Sequence, residues 1–313
     1  MTKVLKVINS DAKIWNLEEV ILTLANSTDS LTIDLNSEGP CIKSLGLLDL
    51  MLKSNATHIK LKTSNMVEDA WTDIEYQPSM QYVLNTRNNS SVSCDKDKHA
   101  QKFGMFIGRS NFIRLFLASK LQDTDILLTF HYDNESDYHK DNLGLDRLVQ
   151  RYGIDNLYSA TKLLSQTPIV LDQIQTYPIL SNQHLGVTQY YKNFYIEVVC
   201  LTYFTGKTFF PDEKIWRPIQ MKTPFIVQGP QNFLSNLKRM GFKTFDRWWD
   251  EGYSEDPYDH QPIEIIKVIE HLNNKSAAEI YNMYIEMHTV LEHNYQTLQS
   301  LSYEDYLKAF NEQ

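Results

Sequence analysis

Asp212, Glu213 and Lys214 stand together at the start of a short helical pattern, Ile215 to Gln220. The strand-like run Pro224 to Val227 follows and ends at a turn, Gly229 and Pro230, which opens another helix. A carboxylate beside an ammonium at a helix N-terminus suits a nucleoside diphosphate. The carboxylate accepts from two ribose hydroxyls, while the lysine and the free backbone N–H groups hold the phosphates. The ordinary alternative is a capping acid followed by a surface lysine. Charge adds a second pointer: residues 201–250 carry 8 Lys+Arg against 4 Asp+Glu, whereas 251–313 carry 3 against 12, in a chain of net charge −9. Gathering like charges costs energy, so a local basic excess marks an anion site or a solvated face balancing the acidic tail.

The elements that must position these residues follow from periodicity. Lys3 to Ile8, Leu31 to Leu35 and Ile59 to Leu61 read as strands. Between them lie a helix from Leu17 to Leu24 and a helical spacing of Ile42, Leu45, Leu48 and Leu52. This βαβαβ pattern implies a parallel sheet. The polar stretch 85–100 reads as a linker. A second αβ unit starts with the strand Phe103 to Ile107, the turn at Gly108 and a helix capped by Ser110 or Asn111, followed by the strand Ile126 to Phe130. Strand, glycine and helix N-terminus form a phosphate-friendly corner. Tyr195 to Leu201 is a further strand, and Gly241 closes the helix over 231–240. From about residue 262 the pattern is helical. Ile263, Ile266 and Ile269, with Tyr281, Tyr284, Met287 and Leu291, suit helices covering a lobe or facing a partner. The expectation is an α/β chain with two Rossmann-like lobes, 1–95 and 100–261, and helices over 262–313 packing back on them.

The stretch from Tyr195 to Pro230 resembles the nucleotide-sugar-binding segment of fucosyltransferase-like glycosyltransferases: a strand, a loop (Phe209 to Pro211), a Glu-Lys pair opening a helix (Glu213, Lys214), and a strand ending in glycine and proline. The stretch FGMFIGRSNFIRLFLASKL resembles the first strand and helix of that lobe, with Arg114 at the phosphate-binding arginine. A looser group of viral and marine-microbial glycosyltransferases is similar through SEGP (37–40), TSNMVED (63–69), EKIWRPI (213–219) and GFKTFDRWWDEGY (241–253). Asp212 stands where the fucosyltransferase pattern usually has threonine, and Thr202 and Tyr203 where an acidic and an amide residue are common, so the sugar is left open. The resemblance implies a GT-B fold, two lobes facing a cleft, and transfer of a sugar from a nucleotide diphosphate sugar to a hydroxyl without a metal ion or cofactor. Glu213 would bind the ribose and Lys214 and Arg114 the diphosphate, with Arg109, Lys207 and Gly229 in the same donor-binding set. The acceptor would be a glycan or hydroxymethylated phage DNA. A non-catalytic module that binds a nucleotide sugar is the alternative.

An inverting transferase needs an acceptor-side carboxylate to take the hydroxyl proton. Glu38, in the turn after a strand, and Glu68, at the corresponding place after the next strand, are the candidates; Asp69 adjoins the latter. Asp95 with Asp97, and Asp123 with Asp125, copy a metal-binding spacing in the wrong context. His131 and His139 read as substrate contacts or solvated side chains. His184 and His260 have no partner by spacing. Trp248 and Trp249 read as helix anchors or sugar-stacking rings, and Tyr203, Phe204, Phe209 and Phe210 as core or base-stacking rings. Cys41, Cys94 and Cys200 are odd in number and widely spaced, which points to neither disulfides nor zinc. With no apolar run near 20 residues and no signal-peptide pattern at the N-terminus, the expectation is a cytoplasmic protein, in the host cytoplasm if viral.

Overall fold

The computed structural model describes residues 3–7, 17–35, 39–88, 95–97, 99–108, 110–131, 144–171 and 186–311. It is an α/β fold with two parallel four-stranded sheets, compatible with two Rossmann-like lobes. The first sheet holds β1 (Lys3–Lys6), β2 (Ser30–Leu35), β3 (His58–Thr63) and β4 (Ile74–Tyr76) in the order β1-β2-β3-β4. Helices α1 (Leu17–Asn26) and α2 (Leu47–Leu52) connect its strands. Leu5, Ile33, Leu35, Ile59 and Leu61 point to one face and share a core with Val20, Leu24, Leu47 and Met51 of the helices.

The alternate residues of this sheet give a polar face. Lys60 and Lys62 of β3 bridge to Glu75 of β4 at 2.7 and 3.1 Å, and hydrogen bonds from Lys60, Gln77 and Lys62 pull the Glu75 carboxyl down to about 2. Period-two alternation normally marks a sheet covered on one side, and here it appears in parallel strands. The strand order advances in one direction only, so this sheet contains no point where the winding reverses.

The second sheet holds β5 (Gln101–Ile107), β6 (Ile126–Phe130), β7 (Phe194–Cys200) and β8 (Phe225–Gln228) in the order β6-β5-β7-β8. Every residue of β7 and β8 is buried, as strands covered on both faces must be. Beside this sheet lie α4 (Phe112–Leu121), α5 (Leu145–Tyr152), α6 (Leu157–Leu164), α7 (Glu213–Gln220), α8 (Phe233–Arg239) and the C-terminal helices α9 (Gln261–Asn273), α10 (Ala277–Glu286), α11 (His288–Ser300) and α12 (Tyr303–Asn311). The tail packs on this sheet's core through a stripe of α9 other than the one read from Ile263, Ile266 and Ile269. Ile265, Val268, Ile269 and Leu272 enter the core, and Ile263 stays at the surface. Isoleucine at 263, 265, 266 and 269 offers two helical stripes, and only packing selects one.

The short β4 and α3 (Met80–Arg87) went unpredicted. Val83 of α3 lies in the second sheet's core, and Arg87 Nε donates to the Leu298 carbonyl at 2.6 Å. The lobes also meet along the loop between β7 and α7. The Asn65 carboxamide donates to the Lys207 carbonyl at 2.9 Å and accepts from the Phe209 N–H at 2.8 Å, while Met66 N–H donates to the Phe209 carbonyl at 3.1 Å. Glycine is required on both sides of this seam. A Cβ on Gly39 would lie 2.5 Å from Phe210 Cβ, and Gly206, at φ +70°, abuts Ser44 and Cys41. Left-handed backbone and absent side chains are what let the loop close on the first lobe.

Candidate functional site

In the second sheet the chain winds outward from β5 to β6 and then returns to place β7 on the other side of β5. The winding reverses between β5 and β7, and in open parallel sheets ligands bind outside the carboxyl ends of the strands at that point. The hydrophobic runs QKFGMFI and FYIEVVC fix the two strands, so the segments leaving them, Ser110 onward and Leu201 onward, flank that position.

Asn111 caps α4, its side chain accepting from the Arg114 N–H at 2.9 Å. One turn into the helix, Arg114 is buried and its Nη2 donates to the carbonyls of Cys200 and Leu201 at 3.1 and 2.9 Å. The guanidinium therefore spans the reversal, tying the start of α4 to the end of β7. The Ser110 hydroxyl, just ahead of the helix, is buried with no hydrogen-bond partner among the described residues.

Asp212 caps α7. Its Oδ1 accepts from the Lys214 N–H at 3.0 Å and its Oδ2 from the Thr202 hydroxyl at 3.1 Å. The Lys214 ammonium lies 3.0 Å from Asp212 Oδ2 and 2.6 Å from Glu213 Oε1. Burial works to discharge Lys214, but Asp212 and Glu213 outweigh it, and its pKa is raised while the nearby Arg114 charge pushes the other way. It stays an ammonium at neutral pH. Arg114, Lys214, Asp212 and Glu213 thus place two cations and two carboxylates around one strand edge. A set so arranged can take an anion on its two cations and hydroxyl donors on its carboxylates.

Glu38 and Arg109 lie outside the described residues. Glu68 is buried and accepts from the N–H groups of Ile42 (2.9 Å) and Ala70 (3.1 Å) and from Asn65 Nδ2 (3.5 Å). It organises the loops of the seam. Lys207 pairs with Asp69 across the lobes, both side chains largely exposed. Gly229 donates its N–H to Gln261 Oε1 at 3.2 Å, and a Cβ there would lie 2.8 Å from Leu201 Cδ1, so packing alone accounts for the glycine.

His131 is buried, which lowers its pKa and keeps it neutral; the expected solvated or substrate-facing side chain is not what the structure shows. His139 and His184 lie outside the described residues, and His260 finds Asp256 at 3.1 Å one helical turn away. Trp249 stacks on Phe245 in the core, and Tyr203, Phe204, Phe209 and Phe210 are buried as core rings. Asp123 pairs with Lys162 at 2.6 Å. Among the described residues no group of three or more His, Cys, Asp or Glu could hold a metal, and no helix is long and apolar enough to cross a membrane. Sequence reasoning missed Asn65 and Gln228; a polar residue closing a hydrophobic strand, as in FIVQ, was the available signal for the second.

The chain matches no family model, no curated protein and no solved structure.

Proposed function

We propose that this chain is a glycosyltransferase of GT-B arrangement that moves a sugar from a nucleoside diphosphate sugar to a hydroxyl acceptor. The supporting observation is the placement of Asp212, Glu213, Lys214 and Arg114 together beside the winding reversal of the second sheet. In this reading Glu213 accepts from the ribose hydroxyls, and Lys214 with Arg114 neutralises the departing diphosphate. That is where charge grows in the transition state and where preorganised cations contribute most. Positive charge comes from side chains, so transfer proceeds at full rate in EDTA.

The test is a panel of nucleotide sugars screened by thermal shift. A ligand at 100 times its Kd stabilises by about 2.7 kcal/mol, and no shift with any member overturns the reading. The acceptor is a glycan or hydroxymethylated DNA. Residues 1–98 carry 10 Lys+Arg against 13 Asp+Glu, which favours the glycan, because duplex DNA demands a basic surface. Retention on DNA that falls with salt would reverse that preference.

A second reading, a binding module without transfer, draws support from Glu68, whose carboxylate is occupied by backbone and amide donors. It predicts binding of the nucleotide sugar with neither hydrolysis nor transfer.

A further inference from the structure

We infer that Gln228 reads the hydroxyls of the transferred sugar; this rests on the nucleotide-sugar reading above. Gln228 closes β8, is fully buried, and among the described residues neither its Oε1 nor its Nε2 has a hydrogen-bond partner. A carboxamide carries two donors and an acceptor oxygen with two lone pairs. Leaving all of them unmatched away from water weakens the fold, and such groups in native proteins call for an explanation.

Its position supplies one. The register pairs Cys200 with Gln228, so both side chains leave the sheet on the same face. Arg114 lies beside that pair: it donates to the Cys200 carbonyl, and its charge opposes the burial that pushes the Cys200 thiol up to about 12. The Leu201 N–H donates to the Gln228 carbonyl at 3.0 Å, and the Leu201 carbonyl accepts from Arg114 at 2.9 Å. The carboxamide therefore stands one strand away from the arginine, at the same carboxyl edge.

The occupant follows from its chemistry. A diphosphate only accepts and would use Nε2 alone, and the ribose is assigned to Glu213. The nucleobase and the sugar each offer a donor and an acceptor on neighbouring atoms; the sugar is the part joined directly to the diphosphate that Arg114 holds beside Cys200 and Leu201, and its adjacent hydroxyls match a carboxamide there. Neither carboxamide atom touches solvent, so the contact forms when the side chain rotates or through one held water; both leave the same mark on affinity.

Gln228→Leu and Gln228→Met, the latter of closer length should the first fail to fold, are titrated alongside the wild type with UDP, GDP and their glucose, galactose, mannose and fucose conjugates. The expected result is a Kd for the nucleoside diphosphate within twofold of wild type and a Kd for its sugar conjugate raised at least tenfold. The melting temperature is unchanged or higher, because the unmatched amide is gone. Equal weakening of both ligands, or no change in either, overturns the inference. Wild-type protein that binds none of these ligands overturns the nucleotide-sugar reading itself.

Discussion

Lys214→Ala is expected to lower kcat for sugar transfer by roughly 10²–10³-fold, the loss typical when one preorganised charge-stabilising donor is removed from a transition state. The ammonium is held by Asp212 and Glu213 at 3.0 and 2.6 Å, and those carboxylates keep it charged in spite of its burial. In the proposed transfer, charge accumulates on the diphosphate as the sugar–phosphate bond breaks, and a fixed cation lowers that barrier more than it tightens binding of the intact donor. KM should therefore move less than kcat. Initial rates across donor concentration, with thermal melts as a folding control, check this; turnover near wild type would remove Lys214 from the mechanism. Removing the ammonium also leaves Asp212 and Glu213 facing each other, so Lys214→Gln, which keeps a donor, should retain more folded protein than alanine while recovering little rate.

Arg217→Ala is expected to destabilise the fold by about 3–5 kcal/mol, because it strands a charge in a dry place. Arg217 Nη2 meets Glu197 Oε1 at 2.8 Å, its Nε donates to the Tyr191 hydroxyl at 2.7 Å, and that hydroxyl donates to the second Glu197 oxygen. Arg217 and Glu197 are buried, and the guanidinium packs 5.3 Å from the Phe106 ring centre. Burial pulls the Arg217 pKa down, yet Tyr191 and Glu197 more than reverse it. The cost therefore falls on whichever partner is left behind. Chemical denaturation of Arg217→Ala should show the loss. Replacing Tyr191, Glu197 and Arg217 together with Phe, Leu and Met should recover most of it, since an apolar cluster of similar volume needs no pairing. A single variant as stable as wild type would mean that water reaches the pair.

Much of the second lobe was legible because its signals are local. QKFGMFI, FYIEVVC and FIVQ are too apolar to be anything but buried strands. Asn111 before a helical run, and Asp212 before another, are caps by side-chain chemistry alone. The acid and amine at 213 and 214 were readable for the same reason. The order of the strands was not: β7 reaches the far side of β5 through pairings between residues about ninety positions apart, and no local pattern encodes that. Glu68 misled because a carboxylate after a strand end looks the same whether it faces a crevice or binds three N–H donors. The two carbonyls that Arg114 holds, Cys200 and Leu201, lie more than eighty residues along the chain, where no local pattern shows them. Gly229 looked like a ligand-side glycine until Leu201 was seen against it. α3 was hidden because LNTR gives little apolar rhythm, and its helix is stabilised by packing on α7 and α11.

The seam around Asn65, Gly39 and Gly206 makes the two sheets thermodynamic dependents. Each half leaves polar backbone of the other unanswered when it melts, so loss of order in the first sheet is communicated to the strand edge where Lys214 sits. Heat or a destabilising change in the first sheet is thereby felt at that edge, with no residue there having been altered.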